Sequence, residues 1–311
     1  MTTDAIVMPT TELDLEKVLL SGQTFRWQRD DQGWWISPIG SDGTILRAQQ
    51  ESGVLYVEAC GGRAKDIAAL YFHAGTSLLS LRDRWLSDDA LELAVAIDNS
   101  PGLRIVRQDP VECLFSFLCS SAAPIHRIRR SVDGMSRLLG RDLGVHHGVQ
   151  LWAFPEVERL AGVLRADLDS LGLGFRGRYI GDAARMVVER GGSHWLASLR
   201  SATYEEAKLE LVQIPGVGEK VADCVCLFSL DKHQAVPIDV HMARVSRRKF
   251  DECRDVKSIT PKAYETFSGS FRARFGEFAG WAQQYFFYAE IERRGLWDQE
   301  LGRHRPKPLS P

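Results

Sequence analysis

Cysteine is sparse and unpatterned in this 311-residue chain: six residues (60, 113, 119, 224, 226 and 253), no two in a Cys-x-x-Cys spacing. That usage fits a reduced intracellular protein whose thiols pack into its core. The expected setting is the cytoplasm and nucleoid of a prokaryote or the nucleus of a eukaryote. No run of about 18 apolar residues occurs, so no membrane contact through a spanning helix is expected. No secretory leader is expected either, because Asp4, Glu12, Asp14 and Glu16 interrupt the first apolar residues. Charge of one sign is not in excess either, the net charge being −2. Any nucleic-acid surface must then be a local patch or a device built from backbone amides. His146 and His147 are adjacent with no partner at i+4, and read as loop residues, not metal ligands.

What is present falls into two patterns, and the length allows about two domains of ~150 residues each. Between 24 and 60, the segments FRWQR, WWISPI, TILRAQQ and VLYVEA are separated by DDQG, GSDG and ESG, the spacing of an antiparallel meander. From about residue 64 the apolar period becomes helical, beginning with AKDIAALYF, SLLSLRDRWL and DALELAVAI, and DNSPG (98–102) makes a boundary. The predicted class is α+β. A small antiparallel β-sheet N-terminal domain with flanking helices (1–100) precedes a larger all-α body (101–302) and a frayed tail (303–311).

Within the body, IPGVG lies between two amphipathic helices, and Thr203 with Glu206 forms a capping box at the start of the first. This helix–hairpin–helix, at about 203–231, lets its backbone approach a ligand closely and offers the N–H groups of its second helix to a phosphate. It is not a Walker A loop, since Val221 and not Ser or Thr follows Lys220. Lys220 stands at the positive end of the second helix dipole. That position and an apolar surrounding disfavour the ammonium form, which is how a lysine becomes a nucleophile. From the residues alone, an exposed lysine on a first turn is the stronger reading. Asp239, nineteen residues on, is a natural N-cap for DVHMARV and can also stabilise cationic charge nearby.

PGVGEKVADC followed by VPIDVHM resembles the helix–hairpin–helix DNA glycosylases. More narrowly, SGQTFRW (21–27), DPVECLFSFLCSS (109–121), LGLGFRGRY (171–179) and GWAQQYFF (280–287) resemble 8-oxoguanine DNA glycosylases, in order from about residue 13 to 290. The iron–sulfur loop of the endonuclease III and adenine glycosylase branches has no counterpart here. The resemblance implies an enzyme that flips 8-oxoguanine out of double-stranded DNA, excises it and nicks the strand, working as a monomer.

It further implies that Lys220 attacks the sugar C1′ and that Asp239 stabilises the developing sugar cation. The main-chain carbonyl of Gly22 would accept the N7–H of the oxidised base, the lack of a Cβ letting the base approach. Gln283 would bind the base's Watson–Crick edge and Phe287 would stack on it, the two sharing a helix face. Cys224 would cover the other face, with a lowered thiol pKa giving a thiolate–ammonium pair beside Lys220. Cys226, Tyr285 and Phe286 would be packing residues. Gly216, Gly218, Val221 and His241 would meet DNA phosphates. Arg127 and Arg176 would read the orphaned cytosine, with Phe175 as the wedge. No cofactor is required by the resemblance. A structural monovalent or calcium cation would sit on the hairpin carbonyls of Val212, Ile214 and Val217, with no side-chain ligand. One departure is plain: Ala122, Ala123 and Pro124 stand where the family has asparagines. That leaves the lesion range and the strictness of cytosine selection open.

Overall fold

The computed structural model describes residues 3–86, 91–121, 123–174 and 176–302. Five strands, β1 (Asp4–Val7), β2 (Gln28–Arg29), β3 (Trp35–Ile39), β4 (Thr44–Glu51) and β5 (Val54–Cys60), form an antiparallel sheet in the order β1-β5-β4-β3-β2. In β5 the alternation of VLYVE turns Leu55 and Val57 into the core and leaves the residues between them half-buried. β1 was not foreseen; it pairs Asp4 with Val57 through Val7 with Val54 along the far side of β5. FRWQR is a strand over only two residues. Phe25 and Trp27 are buried, and the Arg26 side chain is only 6% exposed because Glu112 and the Trp152 carbonyl take its N–H groups. Burial of three consecutive side chains is incompatible with one face of a pleated strand.

Helices follow in chain order. α1 (Leu15–Leu20) lies between β1 and β2, and α2 (Ala64–Tyr71), α3 (Leu78–Leu86) and α4 (Leu91–Asn99) follow the sheet. Then come α5 (Pro110–Leu118), α6 (Ile125–Leu139), α7 (Val157–Ala161), α8 (Arg165–Ser170), α9 (Arg176–Glu189) and α10 (Gly192–Ser198). The chain continues with α11 (Tyr204–Val212), α12 (Glu219–Ser229), α13 (Val240–Lys249), α14 (Pro261–Phe275), α15 (Ala279–Arg293) and α16 (Trp297–Leu301). The body is not wholly helical. β6 (Asp142–His146) and β7 (Val149–Trp152) make a hairpin whose two-residue turn, His147 and Gly148, has both φ angles positive. His146 therefore belongs to a strand and His147 to the turn. Leu151 of β7 packs with Ile36 and Ile45, joining the hairpin to the sheet.

The main buried core runs from the sheet through the helices without a break at residue 100. The hairpin of α11 and α12 is braced from behind by Asp223, which is fully buried. Its carboxylate accepts from Tyr204 (2.7 Å), Tyr264 (2.6 Å) and Lys208 (3.3 Å), tying α11, α12 and α14 together. The Thr203–Glu206 capping box forms in both directions. No helix among the described residues is long and apolar enough to cross a membrane.

Candidate active site

α12 begins at Gly218 with no side-chain cap, so its first N–H groups point out unpartnered, as at any free helix start. Lys220 occupies the second helical position. Its Nζ donates to Ser120 Oγ at 3.0 Å and lies 5.1 Å from the centre of the Phe117 ring. Asp239 caps α13: Oδ1 accepts from the backbone N–H of His241 (2.9 Å) and Met242 (2.8 Å). One carboxylate oxygen thus holds the helix, and no described residue donates to Oδ2.

Lys220, Phe117 and Asp239 line a small cavity of about 60 Å³ together with Gly22, Cys224, Gln283 and Phe287. The cavity opens into a groove of about 780 Å³, because Gly22, Phe117, Lys220, Asp239 and Phe287 line both. Gly216, Gly218, Val221 and His241 line the groove outside it. Segments distant in the sequence are held to this geometry by close packing. Gly280 at the start of α15 donates to the His233 carbonyl at 2.9 Å, and a Cβ there would come within 2.2 Å of the Ala235 carbonyl oxygen. That contact sets α15 down so that Gln283 and Phe287 face the cavity.

Gln283 is 3% exposed, and its Oε1 is buried with no partner. A buried orphan amide oxygen costs on the order of 1–3 kcal/mol, so it marks a place where a ligand donor is expected. His241 has a buried unpartnered Nδ1 and stands edge-on to Phe287, ring centres 6.2 Å apart. Tyr285 and Phe286 are core residues, as is Cys226.

One expectation is corrected. Cys224 does line the cavity, but it is 2% exposed, and burial pushes its thiol up to about 12 against the opposing pull of Lys220. It is a neutral thiol and forms no thiolate–ammonium pair. Gly22 has φ +83°, and a Cβ there would approach Ile125 Cδ1 to 2.8 Å. That left-handed backbone by itself calls for glycine.

Arg127 is exposed on α6 and lines neither cavity nor groove. Arg176 donates from Nε to the carbonyl of Ser121, a groove residue, at 2.8 Å. Phe175 and Ala122 lie outside the described residues. At the hairpin, α11 ends at Val212; the Glu210 and Leu211 carbonyls accept from the N–H groups of Gln213 and Ile214, and the Ile214 carbonyl accepts from Val217 N at 3.0 Å. Carbonyl oxygens at the negative end of a helix suit a cation. Ser120, Phe117, Pro237 and Gln284 are cavity or amine neighbours that sequence reasoning gave no role. Only CSS (119–121), within a quoted motif, pointed toward Ser120.

Residues 5–114 match the family model for the 8-oxoguanine DNA glycosylase N-terminal domain. The chain is 35% identical over 286 residues to the N-glycosylase/DNA lyase OGG1 of Arabidopsis thaliana, covering 90% of this chain and 78% of that protein. It is 32% identical to the N-glycosylase/DNA lyase of Saccharomyces cerevisiae, with 90% and 84% covered. Among solved structures it is similar to the 8-oxoguanine glycosylase/lyase of Clostridium acetobutylicum in complex with double-stranded DNA containing cytosine opposite 8-oxoguanine. That match has a TM-score of 0.80 and 28% identity, over 91% of this chain and 93% of the other. The fold is shared with a 3-methyladenine DNA glycosylase from Archaeoglobus fulgidus (TM-score 0.71, 20% identity).

Proposed function

The chain belongs to the 8-oxoguanine DNA glycosylase family, and from that premise we propose how its own residues carry out the family's reaction. It is a bifunctional N-glycosylase/DNA lyase that excises 8-oxoguanine from double-stranded DNA in base-excision repair. The observation that carries the assignment of residues is the placement of Lys220 in a small cavity that is also lined by Asp239, Gln283 and Phe287 and opens into the groove.

The groove takes the duplex, and the α12 N–H groups at Gly218 and Val221 grip a phosphate. Gly216 and His241 flank that contact. The damaged nucleotide leaves the stack and enters the cavity. There the Gly22 carbonyl accepts the N7–H that guanine lacks; guanine would set a lone pair against that oxygen. Rejection of this kind is strong because the mismatch leaves buried acceptors facing each other. The orphan Gln283 amide meets the Watson–Crick edge, Phe287 stacks on one face, and the neutral Cys224 lies against the other.

Lys220 Nζ, as the free amine, then forms a bond to C1′ as the bond from C1′ to N9 breaks and the base departs with the electron pair. Asp239 Oδ2 stabilises the positive charge on the sugar. Loss of the amine proton and opening of the ring give an imine. Removal of a C2′ proton then expels the 3′ phosphate, breaking the strand. Arg127 and Arg176 hold the cytosine left behind, and Phe175 fills the gap. With Ala122 in place of asparagine, one cytosine contact is gone and the preference for cytosine is narrower. The carbonyls of Val212, Ile214 and Val217 would hold a cation that braces the hairpin. The protein acts as a monomer and needs no cofactor for the chemistry.

Borohydride reduction traps the imine and tests the scheme. With Lys220→Gln, lesion-duplex binding should persist while base release and trapping both disappear. Trapping at the wild-type level would end the assignment.

A further inference from the structure

A second cavity, of about 310 Å³, lies between α6, the loop entering β2 and the end of β7. Four arginines line it: Arg26, Arg129, Arg130 and Arg137. Two are neutralised. Arg26 pairs with buried Glu112 at 3.1 Å, and Arg137 pairs with Asp133 at 2.8 Å while lying over the Trp152 ring at 4.6 Å. Arg129 and Arg130 have no carboxylate partner among the described residues. Arg129 is half-buried, and its only hydrogen bond among the described residues goes to the Trp27 carbonyl. A guanidinium carries five N–H donors, so most of its capacity is unspent. Burial without any compensating acid pushes its pKa down.

Two unpaired guanidiniums in one recess, on a chain of net charge −2, need a reason. We propose that this cavity binds a small phosphate-bearing ligand, inorganic phosphate or a mononucleotide, through Arg129 and Arg130. The planar guanidinium fork matches a phosphate's oxygens, and Gln28, which also lines the cavity, can supply a neutral hydrogen bond. The DNA groove does not supply the phosphate. Ile125 and Ile128 of α6 line the groove, whereas Arg129, Arg130, Asp133 and Arg137 of the same helix line the cavity, so the two open on different faces. Arg129 is recessed, and a free anion can enter where a continuous strand cannot.

The test is calorimetric titration of the full chain, without DNA and at fixed ionic strength, using inorganic phosphate and adenosine monophosphate in turn. At least one should bind saturably, and Arg129→Met and Arg130→Ala should each weaken it by roughly tenfold or more, as for lost charge-assisted hydrogen bonds. Excision of 8-oxoguanine by Arg130→Ala should be unchanged. Should Arg129→Met fail to fold, exposed Arg130 carries the comparison. Absence of binding overturns the proposal, as does binding that survives both variants, which would belong to the hairpin. It also falls if the variants instead weaken binding to undamaged duplex and lower its logarithmic salt slope by about one, the mark of a backbone contact.

Discussion

At the scale of single residues, the cavity sets one prediction on recognition and one on thiol chemistry. Gln283 and Phe287 line the base cavity, while Gly216, Gly218 and Val221 line only the groove outside it. Gln283→Ala and Phe287→Ala should therefore slow lesion excision far more than they weaken binding to undamaged duplex. Stacking on an aromatic is worth on the order of 1–3 kcal/mol, and phosphate contacts ignore base identity. Equal losses on both kinds of DNA would return the two residues to the core. Cysteine reactivity is the second case. Five of the six cysteines are buried, and Cys60 alone is half-buried; all are unpaired. Brief alkylation of the native protein near neutral pH should label Cys60 and spare Cys224, as mass spectrometry would read. Rapid labelling of Cys224 would mean that it is a thiolate after all. Lys220, Asp239, Gln283 and Phe287 were legible because each sits at a fixed offset inside a recognisable motif. Ser120 was not, because its bond to Lys220 spans 100 residues and exists only once α5 and α12 have packed.

Among elements, the loop that carries Gly22 is fixed by its neighbour. Gln23 is fully buried, and its amide nitrogen donates to the Arg104 carbonyl (2.9 Å) and Ser21 Oγ (3.0 Å). Its Oε1 accepts from Val106 N at 2.8 Å, and its carbonyl accepts from Gln108 at 2.8 Å. Gln23 is thus a positioning residue for Gly22. Gln23→Leu should cost roughly 2–3 kcal/mol, since it leaves several buried groups unpaired. It should also narrow the ratio of 8-oxoguanine to guanine excision in single-turnover assays. Lost stability with that ratio intact would make Gln23 a purely structural residue. The helices and the central strands were legible from their periods, and the α11–α12 hairpin from its glycines and capping box. The β6–β7 hairpin was missed because its turn, His147–Gly148, lacks the usual Asn or Asp at the first position. β1 was missed because four residues at a sheet margin carry too little alternation to register.

For the whole molecule, the question is whether sheet and helical body behave as two units or one. DNSPG looks like a boundary, yet the segment after it is stitched back into the N-terminal half. Arg104 is fully buried, and its guanidinium reaches the carbonyls of Glu12 (2.6 Å), Phe72 (2.7 Å), His73 (2.7 Å) and Thr76 (2.9 Å) and the Glu12 carboxylate (3.1 Å). Those five bonds engage every nitrogen of the group, and they offset the burial that pushes its pKa down to about 10. Glu112 adds a second tie, its carboxylate accepting from Arg26 (3.1 Å) and from Gly40 N (3.0 Å) across the same junction. Sequence pattern could not reveal this, since a lone arginine after a proline–glycine turn reads as a solvated loop residue. With the junction buried in this way, neither half can open without exposing unpaired polar groups of the other. The chain should unfold in a single cooperative transition, with tryptophan fluorescence and far-ultraviolet circular dichroism giving coincident curves. Arg104→Met should lower the stability of that transition by about 3–5 kcal/mol, the cost of leaving the partners of a buried charge unmet. If the wild type instead melts in two separated steps, or Arg104→Met leaves the midpoint unchanged, the junction does not couple the halves.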